Sequence, residues 1–236
     1  MVKATTATYA MDNDELTIAT DGLQIVPKRI PRDLLARLSD CFPADASNVR
    51  NALELTAIRE LSHCQILRDL VVPVLGERCF AVRAILFNKT GTANWKVAWH
   101  QDVVIAVRSR ATIAGFGPWS VKLGVDHVRP PPSVLENMLA VRVHLDDCGD
   151  NNGPLRILPG THSLGVLSDS EISGVSKDRE VVCSVQRGDL ILMRPLILHA
   201  SSAAREANSR RVVHIEFAAQ ELPAPLEWQD TVRANG

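Results

Sequence analysis

The residues of this chain best suited to chemistry are His100 and Asp102, two apart in Trp99-His100-Gln101-Asp102, because on an extended segment such a pair projects to one side. An imidazole and a carboxylate are two thirds of the face that holds non-haem Fe(II) and leaves coordination positions open. The third ligand must come from elsewhere. His199, in Arg194-Pro-Leu-Ile-Leu-His199-Ala-Ser-Ser, is the candidate. Alone, a His-x-Asp triplet is equally a surface histidine beside an acid, so its meaning depends on what the rest of the chain builds around it.

Three later segments have period two, the signal of half-buried strands. Val82, Ala84 and Leu86 alternate with Arg83, Ile85 and Phe87. Leu139, Val141, Val143 and Leu145 alternate with Ala140, Arg142, His144 and Asp146, and Arg211, Val213, Ile215 and Phe217 with Arg210, Val212, His214 and Glu216. Each has an apolar face and a face with arginine or histidine. In an antiparallel sheet the polar face can simply meet water. If helices cover the apolar face instead, Arg83, Arg142 and Arg210 converge on one interior cavity.

The N-terminal third offers such helices. Residues 14 to 26 predict a short element, a turn at Asp21-Gly22 and a strand, and Pro31-Arg-Asp opens a helix to about Asp40. The apolar spacing from Asn48 to Leu75 predicts two amphipathic helices, ended near Pro73 and Gly76. Residues 1–76 are thus expected as a mostly helical buttress and 77–220 as the β core of one domain spanning 1–236. Short strands separated by Gly, Pro and Asn turns indicate a mainly β fold, a sandwich or barrel of the jelly-roll kind. Residues 108–133, with Gly115-Phe-Gly-Pro118, Gly124 and Pro130-Pro-Pro132, show little periodicity. They are expected to form either a lid over the site, contributing Trp119, Lys122, His127 or Arg129, or a surface excursion.

Composition narrows the function. The 236 residues are 46% apolar and 22% charged, enough for an ordinary core, with disorder expected only in the first dozen residues and the last few. A net charge of −1 without basic runs gives no footprint for nucleic acid or an anionic membrane, which leaves a small molecule as the expected partner. Five scattered cysteines with no Cys-x-x-Cys pair suggest neither a disulfide framework nor a thiolate zinc site. No signal-peptide core and no apolar run of about 18 residues is present, so a cytoplasmic location is expected. The oligomeric state is not legible.

Taken together, Asn94-Trp-Lys-Val-Ala-Trp-His-Gln-Asp102, Leu145-Asp-Asp with Asn152-Gly-Pro-Leu-Arg-Ile-Leu-Pro-Gly-Thr-His162, and Arg194-Pro-Leu-Ile-Leu-His199-Ala-Ser with Arg210-Arg211 resemble the phytanoyl-CoA dioxygenase-like branch of the Fe(II)/2-oxoglutarate oxygenases. The resemblance spans residues ~80 to 218 in family order. It implies a double-stranded β-helix with His100, Asp102 and His199 as iron ligands and Arg210, eleven residues after His199, on the distal carboxylate of 2-oxoglutarate. A guanidinium fork suits that role, and the alternation favours Arg210 over Arg211. Ser201 sits where a hydroxyl can meet the same carboxylate, and Arg83 where a polar residue can meet the co-substrate's other end. Arg142 and His144 are candidate substrate contacts. His127 and His162 are weaker candidate ligands, His162 belonging to a turn that is structural in the family.

The implied activity is oxidation of a C–H bond by O2 with release of succinate and CO2, hydroxylation being the default outcome. Chlorination is not expected, since the carboxylate ligand is retained. Lys96, Lys122, Arg129 and Arg142 hint at an anionic or amino-acid-like substrate, or are solvated surface. Two other readings stand beside this one. A cupin-like hydrolase or isomerase using Zn or Mn would have no use for Arg210, and a non-catalytic sensor would bind 2-oxoglutarate without consuming it.

Overall fold

The structure is a computed structural model and describes residues 15–43, 47–91, 93–205 and 209–234. The first dozen residues and the last two, where disorder is expected, lie outside the described residues.

In chain order, β1 (Leu23–Val26) precedes α1 (Arg32–Ser39), β2 (Asn48–Val49), α2 (Thr56–His63) and α3 (Gln65–Leu75). Then come β3 (Phe80–Lys89), β4 (Val97–His100), β5 (Ile105–Val107), β6 (Trp119–Lys122), β7 (Val125–Val128), α4 (Pro132–Glu136) and β8 (Met138–His144). The chain continues through β9 (Leu155–Ile157), α5 (Asp169–Gly174), β10 (Val181–Cys183), β11 (Leu190–Met193), β12 (His199–Ser201) and β13 (Arg210–Ala218). The helices expected from the N-terminal spacing are present. α3 ends as expected before Gly76, which stands at positive φ, having run through Pro73; one detail differs, since the stretch before α2 holds β2 and a 3-10 turn at Ala52–Glu54.

All strand pairings are antiparallel. A large sheet runs β1-β11-β8-β13-β3-β2, a smaller one β10-β9-β12-β4, and a third β5-β7-β6. This is the mainly β jelly-roll architecture expected. The outer face of the large sheet carries Ala84, Leu86, Leu139, Val141, Val143, Val213, Ile215 and Phe217 against Leu35, Leu38, Ile58, Leu61, Leu67 and Val71 of α1, α2 and α3. Burial of this layer supplies the apolar driving force that orients the sheet. Its inner face meets the smaller sheet in two ways. Toward β1 and β11 the contact is apolar, Leu23, Ile191 and Met193 against Leu155, Ile157, Val181 and Cys183. Toward β13 and β3 it is polar.

One expectation about facing fails. Val82 does not join Ala84 and Leu86 but packs with Phe80, Met138 and Ala218 in a separate cluster. The cause is a β-bulge: Glu216 pairs with Arg83 and the next residue, Phe217, with Ala81, so Val82 is the extra residue and the alternation inverts there.

Residues 108–133 also differ in part from expectation: residues 119–128 form the β6–β7 hairpin, which joins β5 in the third sheet. Lys122 pairs with Val125 across Leu123-Gly124, both at positive φ, 50° and 80°. Two positive φ values are what a two-residue hairpin turn requires. Leucine instead of Asn or Asp at the first position hides the turn from a reading of the sequence. No helix among the described residues is long and apolar enough to cross a membrane.

If the helices seal the outer face, Ile58→Ala, at a fully buried position of α2, lowers the unfolding free energy by about 2–5 kcal/mol. Chemical denaturation reads this, and an unchanged midpoint would contradict the assigned packing.

Candidate metal centre

The smaller sheet builds the centre. β12 lies against β4 with His199 directly opposite His100, so two imidazoles from residues 99 apart in sequence share one face, ring centroids 4.1 Å apart. Beyond β4 the chain is pinned by a hydrogen bond from the Asp102 amide to the Pro195 carbonyl, 2.9 Å. The intervening Gln101 points the other way. Its side-chain amide donates to the carbonyls of Leu196 (2.7 Å) and Gly165 (2.8 Å), and its oxygen accepts from the Leu167 amide (2.8 Å). That clamp is buried and holds the turn on which His100 and Asp102 stand.

Ligand atoms of His100, Asp102 and His199 all lie within 4.8 Å of one another. Nε2 of His199 is 3.6 Å from Asp102 Oδ2, and Nε2 of His100 is 3.9 Å from Asp102 Oδ1. Each ring's Nδ1 lies 2.9 Å from the carbonyl two residues back, Ala98 for His100 and Ile197 for His199. With a proton on Nδ1 donated to that carbonyl, both Nε2 lone pairs face the carboxylate, which is how backbone carbonyls orient histidine ligands. Burial pushes His199 down to about 4, against the pull of Asp102. Burial works to raise Asp102, but the charges of His199, His214, His100 and Arg83 hold it down to about 2. At neutral pH Asp102 is therefore a carboxylate and His199 a neutral imidazole, and together with the His100 ring they are donor types that a divalent transition metal takes.

A cavity of about 230 Å³ opens over these three residues, lined by Arg83, Arg142, Arg210 and Ser201 among others. The convergence expected of Arg83, Arg142 and Arg210 is thus realised. Arg210 is buried and donates to the Gly153 carbonyl. Arg211 turns to the outer face and is held bidentately by Asp146, at 2.9 and 2.7 Å. Gly153 stands at φ +60°, where a Cβ would come within 2.5 Å of the Ser202 carbonyl. Only glycine lets the 151–153 turn approach the strand end that carries Ser201.

A polar chain crosses the inner face. His127 Nε2 is 3.3 Å from Arg83 Nη1, Arg83 Nη2 bonds Glu216, His214 Nε2 is 3.2 Å from Glu216 Oε1, and His214 Nδ1 is 3.3 Å from Arg142 Nη1. Glu216 is fully buried; burial works to raise it, but Arg83 and His214 prevail and keep it below the usual carboxylate range. An ionised Glu216 accepts a hydrogen bond from Nε2–H of His214, which leaves Nδ1 to accept from Arg142. Burial first and then the charge of Arg210 push Arg142 down to about 10.

Other expected residues fall elsewhere. Lys122 lines the mouth of the cavity, but Trp119 packs into the apolar cluster of the third sheet and Arg129 is engaged through its backbone with Gly117 and Pro118. Neither lines the cavity. His144 is buried behind it, with neither ring nitrogen hydrogen-bonded, and burial pushes it well below the ordinary histidine value. His162 packs over Gly22, away from the cluster, and His127 supports Arg83.

Two basic residues escaped the sequence reading. Lys89 is buried, and its Nζ donates to Ser201 Oγ (3.1 Å) and the Ser202 carbonyl (2.8 Å). It continues the alternation of Arg83, Ile85 and Phe87 by one step, so extending that pattern finds it. Arg50, just after β2, lines the cavity with no signal in its neighbourhood.

Comparison with known proteins agrees with this geometry. The family model described as Phytanoyl-CoA dioxygenase (PhyH) matches residues 36–212. No curated protein sequence matches the chain. Among solved structures, HygX from Streptomyces hygroscopicus with nickel and 2-oxoglutarate bound superposes with a TM-score of 0.62 at 12% identity, covering 87% of each chain. AviO1 from Streptomyces viridochromogenes gives 0.62 at 20% identity, covering 87% of this chain and 93% of its own. The epimerase SnoN in complex with Fe3+, alpha ketoglutarate and nogalamycin RO gives 0.63 at 16%, covering 88% of each. At these identities the superpositions speak for the shared fold, while the family model covers most of the chain and the ligand-bearing segments alike. The chain belongs to the phytanoyl-CoA dioxygenase family, the Fe(II)/2-oxoglutarate-dependent enzymes that its motifs resemble.

Proposed function

We propose that this protein is an Fe(II)/2-oxoglutarate-dependent oxygenase that hydroxylates a C–H bond of a small molecule. The observation that carries the reading is the convergence of His100, Asp102 and His199 on one point of a cavity whose far end holds the buried Arg210. A metal hydrolase would use the three ligands but not the arginine.

Bound Fe(II) would supply the redox chemistry, coupling O2 and the oxidative decarboxylation of 2-oxoglutarate to succinate and CO2 with oxidation of the C–H bond. The chain's own residues do the rest. His100, Asp102 and His199 hold the metal on one face and leave the cavity side open. Arg210 receives the distal carboxylate of 2-oxoglutarate through a charge-assisted fork, with Ser201 and Lys89 adding a hydroxyl and a second cation beside it. The backbone carbonyls of Ala98 and Ile197 and the Gln101 clamp keep the ligands from rotating.

The first test is anaerobic titration with Fe(II) and then 2-oxoglutarate, following the visible metal-to-ligand charge-transfer absorption of the chelate. The band is expected only with both present and is lost in Arg210→Ala. Its absence while iron is bound would favour the hydrolase or isomerase. His100→Ala, Asp102→Ala and His199→Ala should each lose Fe(II) affinity beyond the roughly 10–100-fold typical of outer-sphere changes, with the β fold retained by circular dichroism. Full activity in any of them would overturn the ligand assignment.

Lys89 adds a pH dependence. Burial, then the charges of Arg210 and Arg142, push it down to about 8. A dianion beside it favours the protonated amine, so binding takes up a proton above that pH. The affinity for 2-oxoglutarate should therefore fall as pH rises through about 8 in the wild type and vary less in Lys89→Met. Identical pH profiles would exclude Lys89 from the subsite.

A further inference from the structure

The cavity has two cationic ends, and the co-substrate accounts for only one. On the inner face of the large sheet, Arg210 sits opposite Lys89 at one level and Glu216 opposite Arg83 at another, with His214, Arg142 and Ile85 between. Six residues of strand separate the two levels, roughly 20 Å of backbone at about 3.3 Å per residue. A five-carbon dianion seated on Arg210 occupies the first level and the metal. Arg83 therefore lies at the opposite end of the inner face from Arg210.

At that second end Arg83 is joined by Arg50 and Lys122, which line both the main cavity and a smaller recess continuous with these residues. Arg83 is already neutralised by Glu216. The side chains of Arg50 and Lys122 have no ion-pair partner and no hydrogen bond among the described residues. The imbalance extends to the whole lining: Arg50, Arg83, Lys122, Arg142 and Arg210 face one lining carboxylate, Asp102, with Glu216 behind Arg83. A divalent metal adds positive charge and 2-oxoglutarate removes as much, so the excess remains after both are bound.

Unpaired basic side chains at a rim are common where water solvates them freely. These differ in that three cations share one small space. Arg50 is pushed down by burial and then by Arg83, and Lys122 by burial and then by Arg83 and Arg50. Like charges held together at the mouth of a cavity are the arrangement that an anion relieves and that draws one in. The cavity, at about 230 Å³, is below the roughly 300–1,000 Å³ of most small-molecule sites, so a substrate sharing it with the co-substrate must extend through this mouth.

We propose that Arg50 and Lys122 bind an oxyanion, carboxylate or phosphate, of the primary substrate, and so that the substrates are small anionic molecules. Their anion sits between the residue after β2 and the β6–β7 turn, and their reacting carbon points to His100, Asp102 and His199. The assignment of the reacting carbon rests on the oxygenase reading; the anion subsite does not.

The test is calorimetric titration of the Fe(II)- and 2-oxoglutarate-loaded protein, held anaerobically, with inorganic phosphate and separately with acetate. At least one anion is expected to bind, more weakly at high ionic strength. Phosphate alone indicates a phosphorylated substrate; acetate binding at comparable strength indicates a carboxylate. In Arg50→Ala/Lys122→Ala the anion affinity should fall about tenfold or more, the scale of charge-assisted hydrogen bonds, and Lys122→Glu, on the exposed turn, should abolish it. The charge-keeping Lys122→Arg should restore it. Equal anion affinity in wild type and Lys122→Glu, or no binding of either anion to the wild type, would overturn the proposal. If 2-oxoglutarate fails to bind, the oxygenase reading falls, and the same titration of the unloaded protein still decides the anion subsite.

Discussion

The antiparallel register of β12 on β4 is the constraint on which the rest depends. It sets His199 opposite His100, and one backbone bond further, from Asp102 to Pro195, fixes the carboxylate beside them. A shift of that register by one residue would send His199 to the opposite face of the strand, because side chains alternate with period two. Gln101 works against such a shift: it faces away from the metal and ties both passing backbones together.

The large sheet adds a second constraint by being two-faced. Its outer residues bury against α1, α2 and α3, which commits the inner residues of β8, β13 and β3 to the interior whatever their polarity. Arginines forced inside need partners, and the run from His127 through Arg83, Glu216 and His214 to Arg142 provides them. A buried carboxylate held between an arginine and a histidine is stable only while all are present, since removing one strands the others in a low dielectric. The chain thus makes Arg83 part of the scaffold, while Arg210, Arg50 and Lys122 keep donors toward the cavity. Cations that the protein itself neutralises and cations without a carboxylate partner among the described residues line one cavity.

The pairing of His100 with Asp102 and the facing of Arg210 rather than Arg211 into the cavity were legible because both follow from local periodicity, a pair two apart on one side and a strand whose apolar face is unmistakable, while His199 came with the family motif. Lys89 was legible in principle, one step beyond the alternation already visible in Arg83, Ile85 and Phe87. The β6–β7 hairpin was not, because its turn places Leu123 at positive φ without the usual Asn or Asp. Nor was the inversion at Val82, since a bulge is a property of two strands together and only the partner, β13, reveals it.

By itself the sequence determined the strand periodicity, the N-terminal helices, the three candidate metal ligands and the family resemblance, because each is written in short-range spacing or in motifs kept in order. Only the tertiary structure decided that Trp119 and Arg129 stand off the cavity, that Glu216 neutralises Arg83, and that Arg50 and Lys122 both line it with no side-chain partner among the described residues. Charge pairing across a cavity depends on which distant strands face each other. That facing is set by burial of the whole apolar layer, not by any local run of residues.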